Sequence, residues 1–469
     1  INYGRICMSM AGEMGFIGRA KETGILETQY SKPHPLVVIT GRRRVGKSTL
    51  IREFIKGKNA VYYMADRTRP EAQLSGFSAA VCRALGTVPA QYASWSDAID
   101  AYVQGVPGRK IIAIDELQYI TSQDPDFLKM LQGRWEELSQ KDVMMIVCGS
   151  HLTTMRKIIE DYRNPLHGRY TSDLFVRPID FRDTIRGKGY RQSVEEYAVT
   201  GGVPYYMELM DSSVPAVENA YRLTMALGAP LREEPAVLMS DEFRETSSYN
   251  AYLASIARGN RKMDRICSNL QCKSSAVTPY LKTLSDIQLV ERRVPVTDED
   301  PENSRNGQYR ISDAFTALWF QFVFPYRADI EARDTDEAEA RLRAHFIDSH
   351  VSFVFEDISR RELRRHLRAE GIVARYGSYW DSGTEIDVVA VDSDHGRVFA
   401  GECKYRESPV GEDVLHALVR KASGVEAFEG MDITPCVFSV SGYTEGALRE
   451  AERLGARLFD CGEPVPRSV

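Results

Sequence analysis

Apolar residues in this chain gather in short, nearly continuous runs separated by polar turns. LVVIT at 36–40, AVYYM at 60–64, IIAID at 111–115 and VMMIVCG at 143–149 each have the length and composition of a strand. Between the second and third, Phe77, Val81 and Leu85 recur at helical spacing and predict a helix. GYRQSVEEYAVTGGVPYYMELM predicts a helix, a break at Gly201-Gly202 and a second helix past Pro204, with Tyr205, Tyr206 and Met207 as core. Helical material continues to about Leu238. From Asp241 the pattern changes to three short helical runs. The strand candidate LVERRVPV follows, then the polar insert TDEDPENSRNG and the return strand GQYRISD. AFTALWFQFVFPYR, 314–327, predicts an apolar, aromatic helix that fastens this region to its neighbours. The last part opens on two charged helices, the second holding Glu356. The strand candidates EIDVVAV and VFAGECKY come next. Four segments result: 14–180, 181–240, 241–334 and 335–469.

Composition narrows the functional classes. A chain of 469 residues with 43% hydrophobic content supports several cores. No apolar run reaches the eighteen residues of a membrane span. The first fifteen residues lack the long apolar stretch of a secretory leader. Eight cysteines stand without paired or metal-like spacing, which predicts reduced thiols in a cytoplasmic protein. The net charge of −6 confines any nucleic-acid binding to a local patch.

The first chemistry lies at 36–50, LVVITGRRRVGKSTL. Gly41, Gly46, Lys47 and Ser48 have phosphate-loop spacing, and Thr49 follows. The loop's N–H groups and the start of the next helix suit a triphosphate. Lys47 reaches the outer phosphates and Ser48 offers its hydroxyl to Mg²⁺. Asp115 and Glu116 end the run at 110–116, as a metal-shell acid and a general base. Ser150 either contacts water or the γ-phosphate, or caps the helix beginning near Leu152. Arg169 either offsets developing phosphate charge, from its own or a neighbouring subunit, or pairs with Asp173 or another acid. Phe16–Arg19 and the short helix after them either cover the adenine side of the pocket or simply pack before the first strand. His151 and His167 read as structural.

FIGR at 16–19, GRRRVGKS at 41–48, IDELQY at 114–119, CGS at 148–150 and HGRY at 167–170 resemble the archaeal and bacterial AAA-type ATPases of the signal-transduction NTPase lineage. The resemblance covers about 16–180. It implies an α/β fold with a central parallel sheet and a helical lid. It also implies ATP and Mg²⁺ as cofactors, the phosphate and metal roles on Lys47, Ser48, Asp115 and Glu116, a sensor role for Ser150, and a machine that switches or assembles with nucleotide. ATP is expected over GTP by that likeness, since no guanine-reading motif is evident.

The order helix, helix, helix, strand, insert, strand within 241–334 resembles a winged helix domain. Its third helix would expose Lys273, Ser274, Ser275, Thr278 and Lys282, with Pro279 in its first turn and the insert as a wing tip. Such domains contact either DNA or protein, and the acidic insert weighs against DNA.

In the last segment Glu402 and Lys404 share one strand face, with Cys403 on the other. Asp387 on the adjacent strand and Glu356 on the preceding helix could join them. Carboxylates that hold a divalent ion beside a lysine suit phosphodiester hydrolysis. The plainer alternative is a solvated cross-strand ion pair. Glu356, GTEID at 383–387 and GECK at 401–404 resemble the PD-(D/E)XK nuclease superfamily, over about 338–439. The likeness implies a restriction-endonuclease-like α/β fold, with Asp387, Glu402 and Lys404 as the central triad and Glu356 as the helical acid. Arg360, Arg361, Arg364, Arg365 and Arg368 form a helical stripe that either lies on a phosphate backbone, docks on an acidic partner or is solvated. Two functions are expected to compete: an ATPase controlling a Mg²⁺-dependent, DNA-binding and DNA-cleaving domain, and an ATP-driven switch whose last domain only binds a partner. Expected partners are DNA, a second copy or a nucleotide-regulated protein, with no membrane.

Overall fold

The structure, a computed structural model, describes residues 16–185 and 187–466. Two compact units are interleaved along the chain. One comprises the residues up to Asp183 together with Gly202–Leu209 and Leu238–Arg244. The other comprises Thr184–Gly201, Met210–Val237 and Glu245–Val469. Residues 181–240, expected as one lid or linker, are divided between the two.

The first unit is built on five parallel strands: β1 (Leu36–Thr40), β2 (Ala60–Met64), β3 (Lys110–Asp115), β4 (Val143–Gly149) and β5 (Ser172–Phe175). Their spatial order is β2-β3-β4-β1-β5, and every pairing is parallel. β1, β3 and β4 are buried at every position, which is why they read as unbroken apolar runs rather than alternating ones. Period-two alternation still sorts their side chains. Leu36 and Val38 of β1 join Phe77, Trp95, Ile99 and Leu131 in one layer, while Val37 and Ile39 join Leu26, Leu50 and Phe54 in the other. The carboxyl ends of β1, β3 and β4 are neighbours. They deliver the phosphate loop, Asp115-Glu116 and Ser150 to one edge of the sheet.

In the second unit, helices Ser247–Ala257, Met263–Leu270 and Ser274–Asp286 precede the antiparallel hairpin of β6 (Val290–Arg293) and β7 (Gln308–Ile311). Two expectations change. Pro279 is the sixth residue of its helix, not a first-turn residue. Its ring removes the N–H that would reach the Ser275 carbonyl, and both residues are exposed, where water can serve that oxygen. The polar insert is also not a free tip. It wraps Arg292, whose guanidinium donates to the carbonyls of Pro301 (2.6 Å) and Ser304 (2.5 Å). It is then pinned sideways, with the Val296 N–H on the Ser378 carbonyl (2.9 Å) and the Trp380 indole on the Asn306 carbonyl (3.1 Å).

The apolar segment after β7 is helical over Ala314–Leu318, widens over Trp319–Val323 and tightens over Phe324–Tyr326. Trp319, Phe320, Phe322 and Val323 are all buried. A regular α-helix turns one stripe inward, so sinking this many near-consecutive side chains requires an altered turn.

Six strands close the chain in sequential order: β8 (Arg375–Trp380), β9 (Glu385–Asp392), β10 (Arg397–Lys404), β11 (Asp432–Ser439), β12 (Arg457–Asp460) and β13 (Glu463–Pro464). β8-β9-β10 is an antiparallel meander, and β10-β11-β12 is parallel. Helices Glu412–Ser423 and Glu445–Leu454 make the two crossovers that parallel neighbours require. Helix Ser352–Ala369 comes before β8. Among the described residues no helix is long and apolar enough to cross a membrane.

One glycine sets the start of the phosphate loop. Gly41 has φ +152°, and a Cβ there would stand 2.4 Å from the Val176 carbonyl oxygen. Gly41→Ala is therefore expected to lower the first unit's melting temperature by several degrees and to weaken binding of a fluorescent ATP analogue, read by scanning fluorimetry and anisotropy.

Candidate functional site

Lys47 opens the helix Lys47–Ile55 and is buried, with its ammonium on the loop's own carbonyls at Gly41 (2.8 Å) and Arg42 (3.0 Å). Gly46 caps that helix with φ +91° and no side chain, so the helix's first N–H groups face the loop. Thr49 is exposed. Arg44, also left-handed at φ +67°, stacks on Tyr205 at 4.1 Å. Of the tyrosines expected as core, Tyr206 is buried, whereas Tyr205 is a contact of the phosphate loop. Arg19 is 4% exposed and donates to the Val45 carbonyl at 2.6 Å, with Glu22 at 2.8 Å on its other nitrogen. The FIGR segment is thus tied to the loop itself.

The Tyr62 phenol donates to Asp115 Oδ2 at 2.7 Å, and Ser48 lies near enough to it to act against the rise of its pKa. Burial first, and Asp115 second, push the phenol's pKa far up. Asp115 is wholly buried, and its other oxygen accepts the Glu116 N–H at 2.9 Å. A serine hydroxyl beside the phosphate loop and a buried carboxylate are the oxygen donors that Mg²⁺ takes, so this donor pair fits the expected ion. Tyr62 carried no signal beyond its place in an apolar strand.

Glu116 takes a left-handed backbone, φ +54°, at the end of β3. Its Oε2 accepts the Ser150 hydroxyl at 2.6 Å and the Gln118 amide. Gln118 also lies 3.2 Å from Ser150 Oγ. Of the two readings of Ser150, helix capping is set aside. The helix Leu152–Glu160 follows His151 and is capped from a distance by Glu242, which accepts from the Leu152 N–H (2.7 Å), the Thr153 N–H (3.2 Å) and the Thr153 hydroxyl (3.0 Å). The preceding Asp241 pairs with Arg43 of the phosphate loop (3.2 Å) and with Arg67 (2.6 Å). Nothing in the local pattern reveals these two acids, because their partners lie 89 to 198 residues away. Arg169 donates to the Pro165 carbonyl at 3.2 Å, and among the described residues it pairs with neither Asp173 nor another acid.

In the second unit the register that sets Gly401 opposite Val388 brings the next pair, Glu402 and Asp387, face to face. Asp387 Oδ2 accepts the Cys403 N–H at 2.8 Å. Burial, then the Glu402 charge, raise the Asp387 carboxyl to about 6. Glu402 is held from both sides, Lys404 at 2.8 Å on Oε1 and Lys421 at 2.9 Å on Oε2. Lys421 belongs to the helix Glu412–Ser423. Basic residues in a last helical turn ordinarily complement the helix dipole, so sequence reading passed it over. Glu356 lies near enough to Asp387 to feel its charge. Burial raises its carboxyl, opposed by Arg310 at 4.0 Å.

The expected metal set of Glu356, Asp387 and Glu402 is not assembled as an ion cage. Among the described residues, no three His, Cys, Asp or Glu side chains converge closely enough to hold a metal. The physical reason is that both Glu402 oxygens are occupied by ammonium groups and Glu356 faces Arg310.

One of the five arginines leaves the helical stripe, while Arg361, Arg364, Arg365 and Arg368 stay exposed. Arg360 turns inward onto Asp357 (2.9 Å), Ser378 (2.8 Å) and the backbone of β8 and β9. Arg364 stacks on Tyr376 at 5.5 Å, and Arg365 pairs with Glu362 at 2.9 Å and Glu463 at 3.1 Å. Lys273, Ser274, Ser275, Thr278 and Lys282 are exposed as expected, over a buried face of Val277, Leu281 and Leu284.

Comparison with known proteins bears on both units. Residues 16–210 match a family model described as an ATPase domain predominantly from Archaea. Residues 319–416 match one described as archaeal and bacterial proteins of unknown function. A Walker-type ATPase of Pyrococcus abyssi shares the fold with a TM-score of 0.50 and 18% identity, over 65% of this chain and 96% of that one. The chain carries an ATPase domain over residues 16–210. An uncharacterized protein of Methanocaldococcus jannaschii is 28% identical to this ATPase over 400 residues, 84% of this chain and 88% of that protein.

The Asp387–Glu402 pair generates a signed pH dependence. The folded state holds the Asp387 proton more tightly than the ordinary value of 3.8. Ionisation therefore disfavours the folded state as pH rises from about 4 through about 6. Asp387→Asn is expected to raise the second unit's melting temperature by roughly 2–4 °C per kcal/mol recovered at pH 7–8, and to leave it unchanged at pH 4. A calorimetric pH series checks this, and an equal gain at both ends would refute the charge-repulsion origin.

Proposed function

We propose that this ATPase binds ATP with Mg²⁺ and couples its turnover to a second unit that acts on DNA. The observation that carries the reading is the face-to-face pair of Asp387 and Glu402, with Lys404 beside it, on a helix–β–β–β–helix–β order. That order supports a PD-(D/E)XK-like fold. The three helices and hairpin before it support a winged helix domain, with Lys273, Ser275, Thr278 and Lys282 toward a phosphate backbone.

In the first unit Lys47 and the loop N–H groups between Gly41 and Gly46 hold the phosphates. Ser48 and Asp115 hold the ion, which neutralises charge on the outer phosphates. Glu116 takes the proton of the attacking water while Ser150 and Gln118 fix its carboxylate. Arg169 is a candidate for stabilising the leaving charge, in this chain or toward a second copy. In the last domain Asp387, Glu402 and the helical acid Glu356 stand at the positions of a nuclease's acids, and they would hold a divalent ion only once Lys404 and Lys421 had left Glu402. Lys404 offsets negative charge there. The bracketing of Glu402 by two lysines favours a second reading, in which the last domain only binds its partner and nucleotide sets when.

The readings separate experimentally. Lys47→Ala is expected to abolish ATP binding. Glu116→Gln should keep binding but slow turnover by about 10²-fold or more. Supercoiled, linear, single-stranded and branched DNA are then offered with Mg²⁺ or Mn²⁺, with and without ATP. Cleavage lost in Asp387→Asn and Lys404→Ala with ATP turnover intact supports the nuclease. Nucleotide-dependent binding without any cleavage supports the switch. Replacing Lys273 and Lys282 together by alanine should lower the salt slope of DNA binding by about two. An unchanged slope moves that helix to protein contact.

A further inference from the structure

The cysteines look unpaired by their spacing, but the fold brings two of them together. The helix Met263–Leu270 ends on Gln271, whose backbone is left-handed at φ +50°. The Cys272 N–H then donates to the Cys267 carbonyl (3.1 Å) and the Gln271 N–H to the Ser268 carbonyl (3.4 Å). This closure folds the chain back on the helix end and lays the side chain after the turn against one in the last helical turn, a place usually filled by an apolar contact. Here both positions are cysteine, and the Cys272 thiol lies near enough to Cys267 to raise its pKa, after burial. Both are partly exposed, whereas Cys82, Cys148 and Cys436 are buried. Cys403 and Cys461 are partly exposed, but neither has a cysteine partner among the described residues.

We propose that Cys267 and Cys272 form a reversible dithiol–disulfide site that fastens the turn into the helix Ser274–Asp286, oxidised by a peroxide or by a small-molecule disulfide. With a peroxide, one thiolate attacks an oxygen, becomes a sulfenic acid and releases water. The neighbouring thiol attacks that sulfur, the S–S bond forms, and a second water leaves with the remaining oxygen. With a small disulfide, two exchange steps pass both electrons to it and release it as two thiols. The backbone bond from the Cys272 N–H to the Cys267 carbonyl holds the partner cysteine beside the first, so the first oxidised cysteine is resolved within the turn. In a reducing compartment the pair rests open. Lys273, on the exposed face of the following helix, is the next residue. The bridge would therefore tie that face to the helix before it.

The test uses the full-length protein, treated with hydrogen peroxide or oxidised glutathione, alkylated and digested with trypsin. Both cysteines fall in one tryptic peptide, 266–273. The expected result is that peptide unalkylated and two hydrogens lighter, restored to the doubly alkylated form by dithiothreitol. Cys267→Ser and Cys272→Ser should each remove the mass loss and leave ATP turnover at the parent value. The proposal is overturned if the peptide stays doubly alkylated while Cys403 or Cys461 is consumed. It is equally overturned if the peptide bridges only in urea, or if it carries stable mixed disulfides with glutathione in place of the bridge.

Discussion

Asp115 is a carboxylate with no exposed surface at the end of a strand buried on all sides. Leaving such a group without hydrogen-bond partners in an apolar sheet would cost several kcal/mol. The strand beside it answers with the Tyr62 hydroxyl, and the chain itself answers with the Glu116 N–H. That second bond goes with the left-handed turn that swings Glu116 toward Ser150. One buried carboxylate thus links Tyr62, the proposed base and the polar residue at the end of β4.

The second unit obeys the same rule with a different solution. Asp357 is a half-buried acid on the helix Ser352–Ala369. Burial works against its ionisation, but Arg310, Arg293 and Arg360 outweigh it and hold the carboxyl well below the ordinary range. Two of those arginines come from the β6–β7 hairpin and one from the helix's own next turn. The hairpin is therefore joined to the acid helix by charge-assisted bonds, and its loop to β8 by the Val296 N–H and the Trp380 indole. One arginine of the helical stripe, Arg360, is spent on this acid.

What was legible in the sequence follows from range. The phosphate loop, the acid pair at the end of β3 and the strand holding Glu402 and Lys404 are local patterns, and each lies on the element expected for it. Tyr62, Gln118, Lys421 and Glu242 were missed because each acts across the fold, on a partner that strand order or helix packing supplies. The metal set was over-read because alternation places carboxylates on a face but is silent on which ammonium groups reach them first. The cysteine pair was missed for another reason: the contact depends on one residue, Gln271, taking a left-handed conformation that its identity does not demand.

The capping of the helix Leu152–Glu160 by Glu242 bears on how this ATPase can be inherited. The match to the ATPase family stops at residue 210, and the carboxylate that completes the end of β4 lies beyond it. A recombination event that moved only the matched stretch would strand two helix N–H groups and take Asp241 from Arg43. The segment Leu238–Arg244 thus has to descend with the nucleotide site, although about thirty residues of the other unit separate the two along the chain.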